Sequence, residues 1–63
     1  MNVVDKWERK AIACIKRSGA VKSRSLRDKY YQKAITYCDC IHNFTYDKDM
    51  FDCFDRLSEK VER

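Results

Sequence analysis

Cysteine and histidine are the residues in this chain whose types and spacing come nearest to a chemical site. Cys38 and His42 are four positions apart, so they would share one face of a helix, and Cys53 could approach from the next helix. With Cys14 they would supply the sulfur and nitrogen ligands that tetrahedral zinc prefers. The spacing Cys-x-Cys-x-His followed by a lone cysteine matches no familiar zinc ribbon or finger. We therefore predict no metal site and keep a zinc site of these four residues as the alternative.

Catalysis and cofactor binding are not predicted. The single histidine, His42, would need a nucleophile or a carboxylate brought to it before it could act as a base. A helical domain of 63 residues also offers little concave volume in which to hold a substrate. We expect a non-enzymatic protein without a cofactor.

The four cysteines are expected to be free thiols. The first residues mix acidic, basic and apolar side chains at helical period, so they do not predict a secretory signal, and we expect the protein in a reducing cytoplasm. There, thiols act mostly as small core residues. Because two positions turn a helix by about 200°, Cys38 and Cys40 cannot both face the core. One of the two should be more exposed than the other.

The positive charge of the chain is concentrated in its middle. Residues 16–38 carry a net charge of +6, whereas residues 39–63 carry −3. Seven cations of this region form what we call the basic block: Lys16, Arg17, Lys22, Arg24, Arg27, Lys29 and Lys33. The block could be a solvated face partly neutralised by the aspartates of the last third of the chain, within one copy or across a dimer. It could instead steer an acidic protein, or bind phosphates with salt-sensitive, sequence-independent affinity.

Apolar residues recur at helical spacing in three segments, which predicts an all-α fold. The helices are expected at about residues 3–17, 25–42 and 46–61, the last of them with an apolar row that begins at Tyr46. A break of three residues, 43–45, predicts that helices two and three form an antiparallel hairpin against which helix one docks. We expect a single three-helix domain over residues 1–63, with leftover apolar surface that could support a homo-oligomer. The longest apolar run, residues 11–15, is too short to cross a membrane.

The helix ends have their own signals. Ser18 and Gly19 are expected to end the first helix, with glycine in the left-handed conformation that often closes a helix. Ser25 resembles the first residue of a capping box for the second helix, and Ser23 is the alternative. Thr45 or Asp47 is expected to cap the third.

A chain this short cannot bury all of its eight aromatic residues. Phe51 lies beside the main apolar row of the third helix, which makes it a candidate for an exposed contact, and exposed aromatics usually mark a protein interface. We predict that apolar anchors supply affinity for a protein partner and that cations steer an acidic one. The candidate binding residues are Lys22, Arg24, Arg27, Lys29, Tyr31 and Phe51.

The chain resembles small accessory proteins of lambdoid bacteriophages. The resemblance rests on its length, its basic, cysteine-bearing helical pattern and its opening, Met1-Asn2-Val3-Val4-Asp5-Lys6-Trp7. Those proteins are encoded in the delayed-early region, between the exonuclease and excisionase genes. The resemblance implies a protein made early, acting in the host bacterial cytoplasm and favouring lytic development through contact with a host or phage protein. One class in that region has a homeodomain-like, zinc-finger-like fold, so a nucleic-acid-binding regulator that uses residues 16–33 remains the alternative. The irregular cysteine spacing departs from that class.

Overall fold

The computed structural model describes residues 2–62; Met1 and Arg63, the ends of the predicted domain, lie outside the described residues. Three α-helices follow one another, α1 (Val3–Ala20), α2 (Arg24–Ile41) and α3 (Met50–Glu62), with a short 3-10 helix at His42–Phe44. The prediction of an all-α, three-helix domain is confirmed. Within the described chain no helix is long and apolar enough to cross a membrane.

The first helix is longer than expected. It begins after Asn2, whose side-chain oxygen accepts a hydrogen bond from the Asp5 amide at 2.8 Å. It then continues through Ser18 and Gly19 to Ala20, and Gly19 does not have a positive φ. The predicted left-handed closure at Gly19 is therefore wrong. The chain leaves the helix at Val21, whose extended backbone still donates its N–H to the Arg17 carbonyl at 3.1 Å.

The second helix begins at Arg24 because Ser23, not Ser25, caps it. The Ser23 hydroxyl accepts from the Leu26 amide at 3.5 Å, and the Ser23 carbonyl accepts from the Arg27 amide at 2.9 Å. This satisfies backbone donors that the first helical turn otherwise leaves unpaired. Only Val21, Lys22 and Ser23 separate α1 from α2.

The connection between α2 and α3 differs most from expectation. It covers residues 42–49, which we call the link, rather than residues 43–45 alone. Asp49 caps α3, since its Oδ1 accepts from the amides of Phe51 and Asp52 at 2.9 Å each. The predicted caps, Thr45 and Asp47, instead bond each other within the link, where the Thr45 hydroxyl donates to Asp47 Oδ2 at 2.6 Å.

Helices α1 and α2 have the most extensive packing of any pair. Trp7 near the start of α1 packs on Phe44 after α2, with ring centroids 5.9 Å apart. Arg17 near the end of α1 lies over the Tyr30 ring near the start of α2. The two helices are therefore antiparallel, as a three-residue connection requires.

The core lies between this pair and α3. Six of the residues whose burial is described are fully buried: Ala11, Ala34, Cys38, Ile41, Cys53 and Leu57. Only two of them, Ile41 and Leu57, carry large aliphatic side chains, so half-buried residues such as Trp7 and Phe54 complete the core. Tyr46, expected to begin the apolar row of α3, precedes the helix and is fully exposed.

Candidate functional site

The four predicted binding cations are exposed and adjacent in the fold. Lys22 lies in the short connection, and Arg24, Arg27 and Lys29 occupy the first two turns of α2. The Arg27 guanidinium also donates to the Val21 carbonyl at 3.5 Å, which ties it to the connection. The structure thus brings these cations to one end of the α1–α2 pair.

Within residues 2–62 no carboxylate forms an ion pair with a cation at this end. The ion pairs of the described residues join Arg56 to Glu8, Arg56 to Asp47 and His42 to Asp39, and none includes a cation of the basic block. The described residues form no ion pair between the basic block and the acidic third helix, and partial neutralisation within one copy or across a dimer stays a prediction.

A groove runs between α1 and α2, with a volume of about 690 Å³. We call it the α1–α2 groove, and its walls come from those two helices alone. Its lining residues are Lys10, Ala13, Cys14, Arg17, Lys29, Tyr30, Gln32, Lys33, Thr36 and Tyr37. The lining therefore includes four cations and no acidic residue.

Tyr30 organises part of this groove. The guanidinium carbon of Arg17 and the Nζ atom of Lys33 each lie 5.9 Å from the centroid of its ring. At that distance a cation is attracted by the electron-rich ring face. The two cations are thus held beside the groove although they come from different helices.

Lys10 lines the groove and is not among the candidate residues that the sequence predicted. The signal was present in the row formed by Lys10, Cys14 and Arg17, which follows helical spacing on one side of α1. The small residue at the centre of this row allows a neighbouring helix to pack close to α1, and the two cations then lie along the edge of the contact. That the neighbour is α2 follows only from the tertiary structure.

The two predicted apolar anchors belong to one surface. Phe51 is 56% exposed and lies three positions before Phe54, so the two rings share a face of α3. Tyr31 of α2 is 39% exposed, and its ring packs on that of Phe54 with centroids 5.1 Å apart. We call Phe51, Phe54 and Tyr31 the aromatic strip.

A cluster around Arg56 was missed by sequence reasoning. Arg56 of α3 bonds Asp47 of the link and Glu8 of α1, so it joins segments that are far apart in sequence. The hydrogen bond from Arg56 holds the pKa of Asp47 at about 2, below its ordinary 3.8. The two carboxylates in turn raise the pKa of Arg56. Arg56 is thus paired with both carboxylates, and the cluster stabilises the packing of α1, the link and α3.

The structure does not gather the four residues of the alternative zinc site at one place. Cys14 lines the α1–α2 groove, whereas Cys38 and Cys53 are buried against each other in the core. His42 Nε2 lies 3.4 Å from Asp39 Oδ1. Among the residues that the structure describes, no group of three or more His, Cys, Asp or Glu is placed to hold a metal ion.

The cysteines themselves behave as expected. All four are free thiols, Cys38 is buried and Cys40 is exposed. Burial raises the pKa of Cys38, and burial together with the hydrogen bond to Cys38 raises the pKa of Cys53 to about 12. Both buried thiols are therefore poor nucleophiles, since the thiolate is the reactive form.

Comparison with known proteins gives no relative from which a function could be transferred. No protein-family model matches the chain, and neither the curated proteins nor the solved structures include a significant match. The functional argument therefore depends on the surfaces just described.

Proposed function

We propose that this protein is a non-enzymatic adaptor that binds a host or phage protein in the cytoplasm of a bacterial host. By its resemblance to the phage accessory proteins, its role would be to favour lytic development. The aromatic strip carries the proposal. Phe51 and Tyr31 keep 56% and 39% of their surface exposed, so each has aromatic surface that a partner could cover.

The strip has the character of a binding anchor. Large aromatic side chains at an interface supply much of the affinity when a partner removes them from water. Their position on two packed helices also fixes them before binding, which lowers the entropy lost on association. The exposed cations at the start of α2 would then increase the rate of encounter with an acidic partner.

The adaptor proposal is tested by affinity capture from bacterial lysate with and without nuclease, using the unchanged protein and two variants. Phe51→Ala removes an anchor, and Tyr46→Ala removes a fully exposed aromatic outside the strip. We expect a stoichiometric host protein that survives nuclease, is lost with Phe51→Ala and is retained with Tyr46→Ala. The thermal midpoint of Phe51→Ala should match that of the unchanged protein. Equal loss in both variants, or a strongly lowered midpoint for Phe51→Ala, would contradict the assignment of Phe51 as an anchor.

A nucleic-acid-binding regulator is the second candidate, and it is favoured by the basic block, whose cations form no ion pair among the described residues. Phosphate contacts by Arg24 and Arg27 would give affinity that falls with salt and does not depend on base sequence. In that case Arg24→Ala and Arg27→Ala should weaken binding to all sequences equally and flatten the salt dependence, while Lys48→Ala in the link should not. Capture that disappears with nuclease would favour this candidate over the adaptor.

A further inference from the structure

The α1–α2 groove lies on a face of the α1–α2 pair that α3 does not cover. Along α1 the core-facing row includes Trp7 and Ala11, whereas Lys10, Cys14 and Arg17 form a separate row that faces the groove. The two rows are offset by roughly a fifth of a turn around the helix. Among the described residues, none of α3 or of the link lines the groove. The α1–α2 pair therefore has one side occupied by a helix and a second side without one.

The shape of the groove suits a helix. Its walls are two antiparallel helices, and a further helix that packs on such a pair places its side chains in the groove between them. Small residues, Ala13, Cys14 and Thr36, form part of its lining and permit close approach. The ring of Tyr37 adds apolar surface. An apolar row on the incoming helix would find contacts here.

The cations of the groove determine which charges a helix bound there should carry along its two edges. Lys10 and Arg17 are seven residues apart on α1, which corresponds to about 10 Å along the helix axis. Lys29 and Lys33 are one turn apart on α2. All four are exposed, so the positive charge lies on both sides of the groove. A helix with apolar residues flanked on both sides by Asp or Glu complements this arrangement over about two turns.

Other occupants fit less well. A nucleic-acid base that stacked on Tyr30 would have to displace Arg17 and Lys33 from its ring. A second copy of this chain would offer its acidic α3, but the apolar row of that helix, including Cys53 and Leu57, is buried in its own core. A second copy therefore lacks the apolar row that the groove would receive.

From these observations we infer that the α1–α2 groove binds an acidic amphipathic helix of a partner protein. The inference deepens the proposed adaptor function and rests on it, because it adds a second binding face of different chemistry from the aromatic strip. Such a protein could contact two partner segments at once, one through aromatic anchors and one through the cationic groove.

The probe for this inference is a synthetic peptide of about 15 residues, long enough to populate a helix, with Leu at helical spacing flanked by Glu on both sides. Its controls are a scrambled peptide of equal charge and a peptide with Lys in place of each Glu. Affinity is measured by fluorescence anisotropy at physiological salt, and the binding face is mapped by NMR shift changes in the full chain. The double variant Lys10→Glu/Lys33→Glu is compared with Lys48→Glu/Lys60→Glu, which changes the net charge equally outside the groove.

We expect the acidic helical peptide to bind more tightly than both control peptides and to shift resonances of Cys14, Thr36 and Tyr37. The groove variant should weaken binding more than about tenfold, and the control variant less than about twofold. Absence of binding, equal weakening by both variants, or shifts confined to the aromatic strip would overturn the inference. So would tighter, groove-dependent binding of a single-stranded oligonucleotide.

Sedimentation of the unbound protein provides the test for a second copy. A dimer that Lys10→Glu/Lys33→Glu converts to a monomer would show that another copy fills the groove, which overturns the inference. Failure of the groove is distinguishable from failure of the adaptor proposal, because Phe51→Ala should leave peptide binding unchanged. Loss of lysate capture in Phe51→Ala would then support the adaptor even if the groove bound no peptide.

Discussion

Arg56 of α3 holds Asp47 of the link through two of its nitrogen atoms. Nε lies 3.0 Å from Oδ1 and Nη2 lies 2.9 Å from Oδ2 of the same carboxylate. Nη2 also lies 2.7 Å from an oxygen of Glu8 on α1. The planar guanidinium is suited to this paired geometry, and it connects the first helix, the link and the third helix at one point.

Replacing Arg56 should therefore destabilise the fold. Arg56→Ala leaves two largely buried carboxylates close together, and we expect the free energy of unfolding to fall by about 1–3 kcal/mol. Arg56→Lys should recover only part of this loss, since an ammonium group cannot make the paired contact. Urea denaturation followed by circular dichroism measures both changes. The exposed Lys60→Ala is the matched control, and a loss of similar size there would contradict a specific role for Arg56.

The same contact predicts a dependence of stability on acid. The pKa of Asp47 is about 2 in the folded protein and 3.8 at its ordinary value, so the folded state favours the charged form. This contribution is fully present above about pH 4 and is lost as the pH falls through about 2, with a magnitude of about 1–2 kcal/mol. The stability difference between the unchanged protein and Asp47→Asn should narrow over that range. Thermal unfolding of both proteins between pH 2 and pH 6 measures it, and a constant difference would argue against the shifted pKa.

Gly19 provides a test of where α1 ends. It is helical, its φ is not positive, and a methyl group at this position would meet no atom within 4 Å. Gly19→Ala should stabilise the protein by about 0.5–1 kcal/mol, because alanine loses less backbone entropy in a helix. Thermal unfolding of the variant is the measurement. A destabilised variant would instead indicate the left-handed glycine that the sequence suggests.

The four thiols should react at different rates with a thiol reagent such as dithionitrobenzoate. Cys40 is exposed and should react first, followed by half-buried Cys14. Cys38 and Cys53 should react only on unfolding, because burial excludes the reagent and raises the pKa of both thiols. Cys40→Ser should remove the fastest phase and leave the slow one unchanged. Fast reaction of all four thiols would contradict the buried contact between Cys38 and Cys53.

The sequence alone determined the number and type of the elements. Helical spacing of apolar residues predicts three helices, and the angle between successive positions predicts that Cys38 and Cys40 differ in exposure. The partial exposure of Phe51 was also recognisable, since this residue lies beside the buried row of α3 and not within it. These properties depend on neighbours within one or two helical turns, which the sequence displays directly.

Only the tertiary structure decided the helix ends and the surfaces between helices. Gly19 predicted the end of the first helix, but α1, which packs on α2, continues to Ala20. Tyr46 was expected to begin the apolar row of the third helix, but Asp47 bonds Thr45 within the link and the helix starts later. The α1–α2 groove brings Lys10 next to α2 and Arg17 next to Tyr30, and Arg56 meets Glu8 from the opposite end of the chain. Such contacts join residues distant in sequence, so no local spacing encodes them.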